Sequence, residues 1–304
     1  MRYEPYDLTF ETPNVVVDGS PNPGTVLCLT HWPGIPYPPH LAHDHSAGIA
    51  FRYLDSGATD AEIVTNNHFD QDGLMATFAL SNPAVAVPNR ALVEDVASAG
   101  DFAVFRDRRA ARVSTVIASW ATGSDSAYPA ALERLPHLLE HVDDYRDIWA
   151  ENDAALTASE AAIASGAVTI TEDADLDLAV VHGDGRRGHR FAHQVFEGVH
   201  PMALHNATER TAILLVHGGR YSFTYRYETW VQYVSRSVRQ RRDLRPLAER
   251  LSEADEVAWR ADDVGGLTPQ LTHEGGSSLA PDEVAAAVRE HLRTAPPAFD
   301  PRPT

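Results

Sequence analysis

The sequence predicts an α/β fold in two parts, a parallel-sheet βαβ first domain followed by a second α+β domain of mixed or antiparallel strands. Three observations carry this prediction. Strand-like and helix-like segments alternate through the first hundred residues, the pattern of strands joined by crossover helices. A long helical stretch follows, from about residue 128 to 164. Beyond it, short β-branched and aromatic runs punctuated by Gly and Asn dominate, as expected of half-buried strands joined by turns. The 304 residues exceed one average domain, and the division is placed as 1–165 and 166–304.

Taken in order, "TVLCLTHW" reads as a strand, "HSAGIAFRYLDSG" as a helix closed by Gly57, and "AEIVTNN" as a second strand. In "LMATFAL", Leu74, Met75, Phe78 and Ala79 stand at helical spacing, and Asn82-Pro83 ends the segment. "ALVEDVASAG" reads as a helix and "DFAVF" as the strand of a third βα repeat. Leu132, Leu135, Leu138 and Leu139 mark one apolar helical stripe. In the second half, "LDLAVVH", "HRFAHQVFEG", "HPMALHN", "TAILLVH" and "RYSFTYRYETW" are expected to be strands. Alternation turns Tyr221, Phe223, Tyr225 and Tyr227 onto one face, best used as core. "LAPDEVAAAVREHL" is a helix with Pro281 in its first turn and Asp282 and Glu283 complementing its dipole. "TAPPAFDPRPT" is expected to be a poorly ordered tail.

Composition narrows the function classes. No apolar run reaches the roughly 18 residues of a membrane span, and the polar, Pro-containing start does not read as a signal peptide, so a cytoplasmic protein is expected. The single Cys28 lies in an apolar run, which excludes a disulfide framework and a thiolate-rich metal site. All 25 basic residues are Arg; without lysine there is no Schiff-base anchor and no P-loop. A formal charge of −18 argues against general nucleic-acid binding. One stretch runs against that balance, since residues 235–250 hold six Arg against Asp243 and Glu249.

The most informative stretch is "IVTNNHFDQDGLMATFAL". In extended backbone, residues two apart project to the same side, so His68, Asp70 and Asp72 can converge on one point. Gly73 then admits the chain into a helix, and the end of a parallel strand beside a helix N-terminus is where α/β sheets bind ligands. Two carboxylates and an imidazole suit a divalent ion, with Mn²⁺, Fe²⁺ or Zn²⁺ favoured over Mg²⁺ by the histidine.

At "HFDQDG" the sequence resembles the DHH phosphoesterase superfamily, whose first motif has the form HxDxDG between a strand and a helix. The resemblance is close over residues 62–80 and loose over the βα pattern of the first half. It implies a two-domain phosphohydrolase with a binuclear site, usually of manganese, acting on phosphodiesters or phosphoanhydrides. His68 and Asp70 would then bind one metal and Asp72 the other. The Asp that follows the motif in the family is matched best by Asp101. The namesake Asp-His-His triplet has no downstream counterpart; the nearest fragments, His31 and the run His43-Asp44-His45, stand upstream. A rearranged site using His31 and Asp44, a mononuclear site, and a motif kept without activity are the three readings this leaves.

The implied substrate is a phosphorylated small molecule or short nucleotide. Phosphate contacts are expected from the second domain, from His205 in "LHN", Arg226, and Arg236 and Arg239 of the cationic stretch. The run Gly183, Gly185, Gly188 matches GxGxxG, but with two Arg in the turn a hairpin is the better expectation than a dinucleotide site. The pairs Gly265-Gly266 and Gly275-Gly276 read as loops. The alternative to an enzyme is a noncatalytic metal- or ligand-binding protein on the same scaffold.

Overall fold

Three consecutive β-branched residues, Val15, Val16 and Val17, are fully buried and form the middle of a parallel sheet. The computed structural model describes residues 1–57, 61–121, 127–183, 188–191 and 194–302. It divides into two compact units, the first holding Met1–Ala154 and Val231–Ser235 and the second Ala155–Trp230 and Arg236–Pro301. The division falls inside a helix, ahead of the boundary read from sequence, and the chain returns to unit 1 at Val231–Ser235 and again at Arg302.

In unit 1 the strands are β1 (Arg2–Tyr3), β2 (Asn14–Val17), β3 (Thr25–Leu29) and, after helix α1 (Ser46–Ser56), β4 (Ile63–Thr65). They are ordered β1-β4-β2-β3 and every pair is parallel, so all carboxyl ends open on the same edge. Helix α1 begins at His45, whose ring accepts from the Gly48 N–H at 3.0 Å, and ends at Gly57, left-handed with φ 74. Helix α2 (Gln71–Ser81) is capped by Asp70, which accepts from the Gly73 N–H at 2.8 Å. The short α3 (Pro83–Ala86) follows, then α4 (Arg90–Asp101), α5 (Arg108–Trp120), α6 (Tyr128–Glu140) and α7 (Arg146–Ser165), which runs on into unit 2. Val15, Val17, Leu29, Ile49, Phe51, Leu74, Met75 and Phe78 are buried in one core, each contributing about 1.5–3 kcal/mol of apolar burial.

"DFAVF" is not a strand. Helix α4 runs through Asp101, the Phe102 N–H closes its last turn on Ser98, and Ala103 turns the chain at φ 53. Phe102 and Ala103 are buried at the helix end rather than paired in a sheet, and Val104 and Phe105 are half-buried beyond it. The strands of the parallel sheet that the sequence reading lacked are β1 and β2.

Unit 2 contains β5 (Thr169–Asp173), β6 (Leu178–His182), the hairpin strands β7 (His189–Phe191) and β8 (Gln194–Phe196), α8 (Pro201–Ala207), β9 (Ala212–His217), β10 (Arg220–Tyr225), β11 (Arg241–Arg242), α9 (Arg245–Ala254), β12 (Trp259–Ala261), β13 (Gln270–His273), α10 (Pro281–Thr294) and β14 (Pro297–Phe299). Six of the strands form one sheet, β12-β13-β10-β9-β6-β5. It is mixed: β6 and β9 are parallel and the other pairs antiparallel. The aromatic face of β10 packs Tyr221, Phe223 and Tyr225 against Leu247, Leu251, Val284 and Val288, as the alternation predicts, but Tyr227 lies beyond the strand in a 3-10 turn and is not part of that core.

Two further expectations are corrected here. "HPMALHN" is the helix α8 rather than a strand: Pro201 suits its first position, and the His200 ring accepts from the Met202 N–H at 3.2 Å. The tail is ordered through Phe299, because β14 pairs with β11 over a fully buried Arg241. That guanidinium donates to the carbonyls of Val264, Gly266 and Leu267 and to Thr229 Oγ1, which fixes the Gly265-Gly266 loop. Most of the GxGxxG turn, residues 184–187, lies outside the described residues.

Candidate metal centre

The carboxyl ends of β2, β3 and β4 deliver five side chains to one place. Asp18 follows β2, His31 follows β3, and the loop after β4 carries His68 and Asp70 into α2, where Asp72 sits in the first turn. Asp18, His31 and Asp72 are at most 1 % exposed, whereas His68 and Asp70 are about one third exposed and form the open side.

Asp18 is shared. Its Oδ1 lies 3.4 Å from His31 Nε2 and its Oδ2 3.4 Å from His68 Nε2, and Oδ1 also accepts from Ser46 Oγ at 2.9 Å. The residue is held at φ 44, a backbone region that L side chains rarely occupy. Gly19 after it is equally constrained, since a Cβ there would stand 2.2 Å from Asn67 Oδ1.

His31 faces several carboxylates with one atom. Its Nδ1 lies 2.7 Å from the Asp44 carbonyl oxygen; a carbonyl only accepts, so Nδ1 carries the proton and a neutral ring keeps its lone pair on Nε2. That Nε2 is 3.4 Å from Asp18, 3.4 Å from Asp101 Oδ2 and 3.8 Å from Asp72 Oδ2. On the other side, His68 Nε2 lies 2.9 Å from Asp70 Oδ2. Two donor groups result, Asp18–His68–Asp70 and Asp18–His31–Asp72, each with its ligand atoms within 4.8 Å of one another. Carboxylate oxygens and imidazole nitrogens sit about 2.0–2.2 Å from a bound zinc-sized ion, so donors spaced about 3–4 Å apart can share one.

The electrostatics of the centre favour positive charge. Burial, and then the nearby Asp18 charge, push the Asp72 carboxyl well above its ordinary value even though two backbone N–H groups bind it. Burial opposes charge on His68, yet Asp70 and Asp18 overcome that and raise the ring to about 11, so a proton lies where positive charge is wanted. Burial also opposes charge on Asp18, and His68 and His31 together hold its carboxyl below the usual range. The residues present therefore suit divalent cations in chemistry and spacing.

The remaining expected residues are placed as follows. Asp101, the last residue of α4, reaches His31 as above. Asp44 serves through its backbone carbonyl, while its carboxylate accepts from the Ser235 N–H at 2.6 Å and Ser235 Oγ at 2.7 Å. In unit 2, Arg226 is 2 % exposed, pairs with Glu228 at 2.6 Å and donates to the Thr208 carbonyl at 2.9 Å, so its charge is satisfied internally. Arg236 pairs with the same Glu228 at 2.8 Å. His205 is buried on α8 with its ring 5.4 Å from Phe196. Arg239 donates to the Asp175 carbonyl at 2.5 Å.

One residue of the centre, Asp18, was missed in the sequence, and His45 was named only as part of the His43-Asp44-His45 run. Asp18 had a signal, the run "NVVVDG", a β-branched strand ending in Asp-Gly. His45 caps α1 with Nδ1 3.9 Å from Asp72 Oδ1; burial and the neighbouring His43 and His31 push its pKa well below the ordinary value, so it is a neutral imidazole. Asp72 itself binds the start of α1, accepting from the Ser46 N–H at 2.6 Å and the Ala47 N–H at 2.7 Å. Trp32 flanks the open side, its ring 5.3 Å from His68. Among the described residues no helix is long and apolar enough to cross a membrane.

Neither the curated proteins nor the solved structures contain a match to this chain. A family model matches residues 1–303, and the chain belongs to that family, a family of unknown function designated DUF6687.

Proposed function

We propose that the protein is a metal-dependent phosphohydrolase related to the DHH phosphoesterases, with two divalent cations, manganese first, shared through Asp18. The observation that carries this is the pair of donor groups with Asp18 in common, at the carboxyl edge of a parallel sheet. His68 and Asp70 fall in one group and Asp72 in the other, the partition the "HFDQDG" resemblance implies. Cations there would polarise a phosphoryl group and acidify water.

The chain's own residues do the rest. Asp44 fixes the His31 tautomer through its carbonyl, so Nε2 stays aimed at Asp18, Asp72 and Asp101. Asp72 ties the start of α1 to the start of α2, which holds the two halves of the centre in register. His68 and Asp70, about one third exposed, leave the side through which a phosphorylated small molecule or short nucleotide enters. The net charge of −18 favours such small substrates over a nucleic-acid polymer.

A second reading has its own support. Both oxygens of Asp72 already accept backbone N–H bonds, which suits a structural metal or ligand site without catalysis. Purified protein loaded with Mn²⁺, assayed on bis(p-nitrophenyl) phosphate, short oligonucleotides, cyclic dinucleotides and pyrophosphate, separates the two. Hydrolysis that Asp70→Ala abolishes supports the enzyme. Bound metal without turnover supports the second reading, and equal rates in wild type and variant remove the first.

A further inference from the structure

The two donor groups that share Asp18 differ in their access to water. In the inner group the side chains of His31 and Asp72 are 0 % exposed and that of Asp18 is 2 % exposed. Asp101, whose Oδ2 lies 3.4 Å from His31 Nε2, is 7 % exposed. In the outer group His68 and Asp70 are 32 % and 34 % exposed. A cation among the inner donors can leave only when the surrounding structure opens, whereas one held by His68 and Asp70 meets water directly.

The two imidazoles are also held differently. His31 gives its Nδ1 proton to the Asp44 carbonyl at 2.7 Å. His68 Nδ1 is buried and has no hydrogen-bond partner among the described residues; its ring rests beside Trp32, 5.3 Å away. A bond from the far nitrogen orients a ligating imidazole and makes it more basic, and losing such a bond weakens metal binding by about 10–100-fold. Charge acts in the same direction. The inner position faces the carboxylates of Asp18, Asp72 and Asp101, while the outer position has Asp70 and a share of Asp18.

We propose that the centre holds its two cations unequally: the inner position keeps a resident cation that leaves slowly, and the outer position, on His68 and Asp70, exchanges its cation with solution. Metal supply then acts on the outer position alone. This inference rests on the two-cation part of the proposed function and does not depend on hydrolysis.

The test is chelation of the full chain after loading with Mn²⁺ and dialysis. Elemental analysis first counts metal per chain; EDTA is then added in excess, and aliquots desalted at intervals give the manganese retained. Two metals are expected to leave in two phases of one metal each, the second at least about tenfold slower than the first. Asp70→Asn should lose the fast phase and keep the slow one at its wild-type rate, and His31→Ala should lose the slow phase. If His31→Ala fails to fold, Asp101→Asn decides in its place: it should speed the slow phase and leave the fast one unchanged. Two metals leaving in a single phase overturn the proposal and leave the two-cation reading standing. Fewer than two metals after loading overturn both, before any chelator is added. A slow phase that vanishes in Asp70→Asn also overturns the proposal, because the resident cation would then be the outer one.

Discussion

Asp18 Oδ1 stands 3.4 Å from His31 Nε2, although thirteen residues separate them and each ends a different strand. The opposite carboxylate oxygen faces His68, so one side chain belongs to both donor groups. Replacing it is expected to cost more metal than replacing a ligand of one group. Asp18→Asn keeps the shape but loses the charge, and should fall from two bound metals per chain to at most one, with activity down by at least about 100-fold, since even outer residues of metal sites are worth about 10–100-fold. Asp70→Asn should leave one metal. Elemental analysis after manganese loading and dialysis reads both, and equal metal content in wild type and Asp18→Asn would contradict the sharing.

The contact between Asp44 and His31 runs through a backbone carbonyl, which separates two substitutions that look equivalent in sequence. Asp44→Ala retains that carbonyl and removes the two bonds from Ser235, so it should cost about 1 kcal/mol of stability and leave metal content unchanged. His31→Ala removes the donor atom facing Asp18, Asp72 and Asp101 and should lose metal. Denaturant unfolding together with elemental analysis of the two variants checks the contrast; loss of metal in Asp44→Ala would mean that its carboxylate is a ligand.

Much of this was readable from local pattern and the rest was not, for definite reasons. The meeting of His68 and Asp70 follows from their spacing, whereas Asp72, in the first turn of α2, faces the other donor group instead of the point the extended spacing suggested. The partnership with Asp18 spans fifty residues, and its visible trace was only the Val15–Val17 run before Asp-Gly. "DFAVF" and "HPMALHN" are not strands, although a short apolar run fits a helix, a helix end or a strand equally well; Phe102 is buried as the cap that closes α4, and Leu204 is buried inside α8. Asp44 shows a different limit: residue type suggests a carboxylate ligand, while the fold uses its carbonyl. The two-part α/β organisation was legible because it depends on patterns many residues long.

Gly73 has a role that spacing did not suggest. It lies within α2 rather than in a turn, and a Cβ there would stand 2.4 Å from Asn66 Nδ2 and 2.8 Å from Tyr128 Oη. Alanine is the better helix former by about 1 kcal/mol, yet Gly73→Ala should destabilise by about 1–3 kcal/mol, because both neighbours are buried and confined. Asn66 also donates to the Asp18 carbonyl at 3.4 Å and accepts from the His68 N–H at 2.9 Å, so metal affinity should fall with stability. Chemical denaturation and manganese titration of the variant read the two effects; a variant more stable than wild type would show that the close approach relaxes freely.

Acid sensitivity should arise in unit 2 at Asp255, which binds the loop ahead of α10. Burial pushes its carboxyl upward, but bonds from Ser277 Oγ, the Ser278 N–H and Oγ, and Trp259 Nε1 reverse this and hold it far below the ordinary range. A carboxyl depressed on folding contributes stability that is present above its unfolded value of about 3.9 and is lost as pH falls toward the folded value. Asp255→Asn should therefore be less stable than wild type at neutral pH, and the gap should close as the pH is taken from neutral to well below the unfolded value. Urea unfolding across that range measures it, and a gap that stays constant with pH would show that the ionised carboxylate contributes nothing beyond the shape of its side chain.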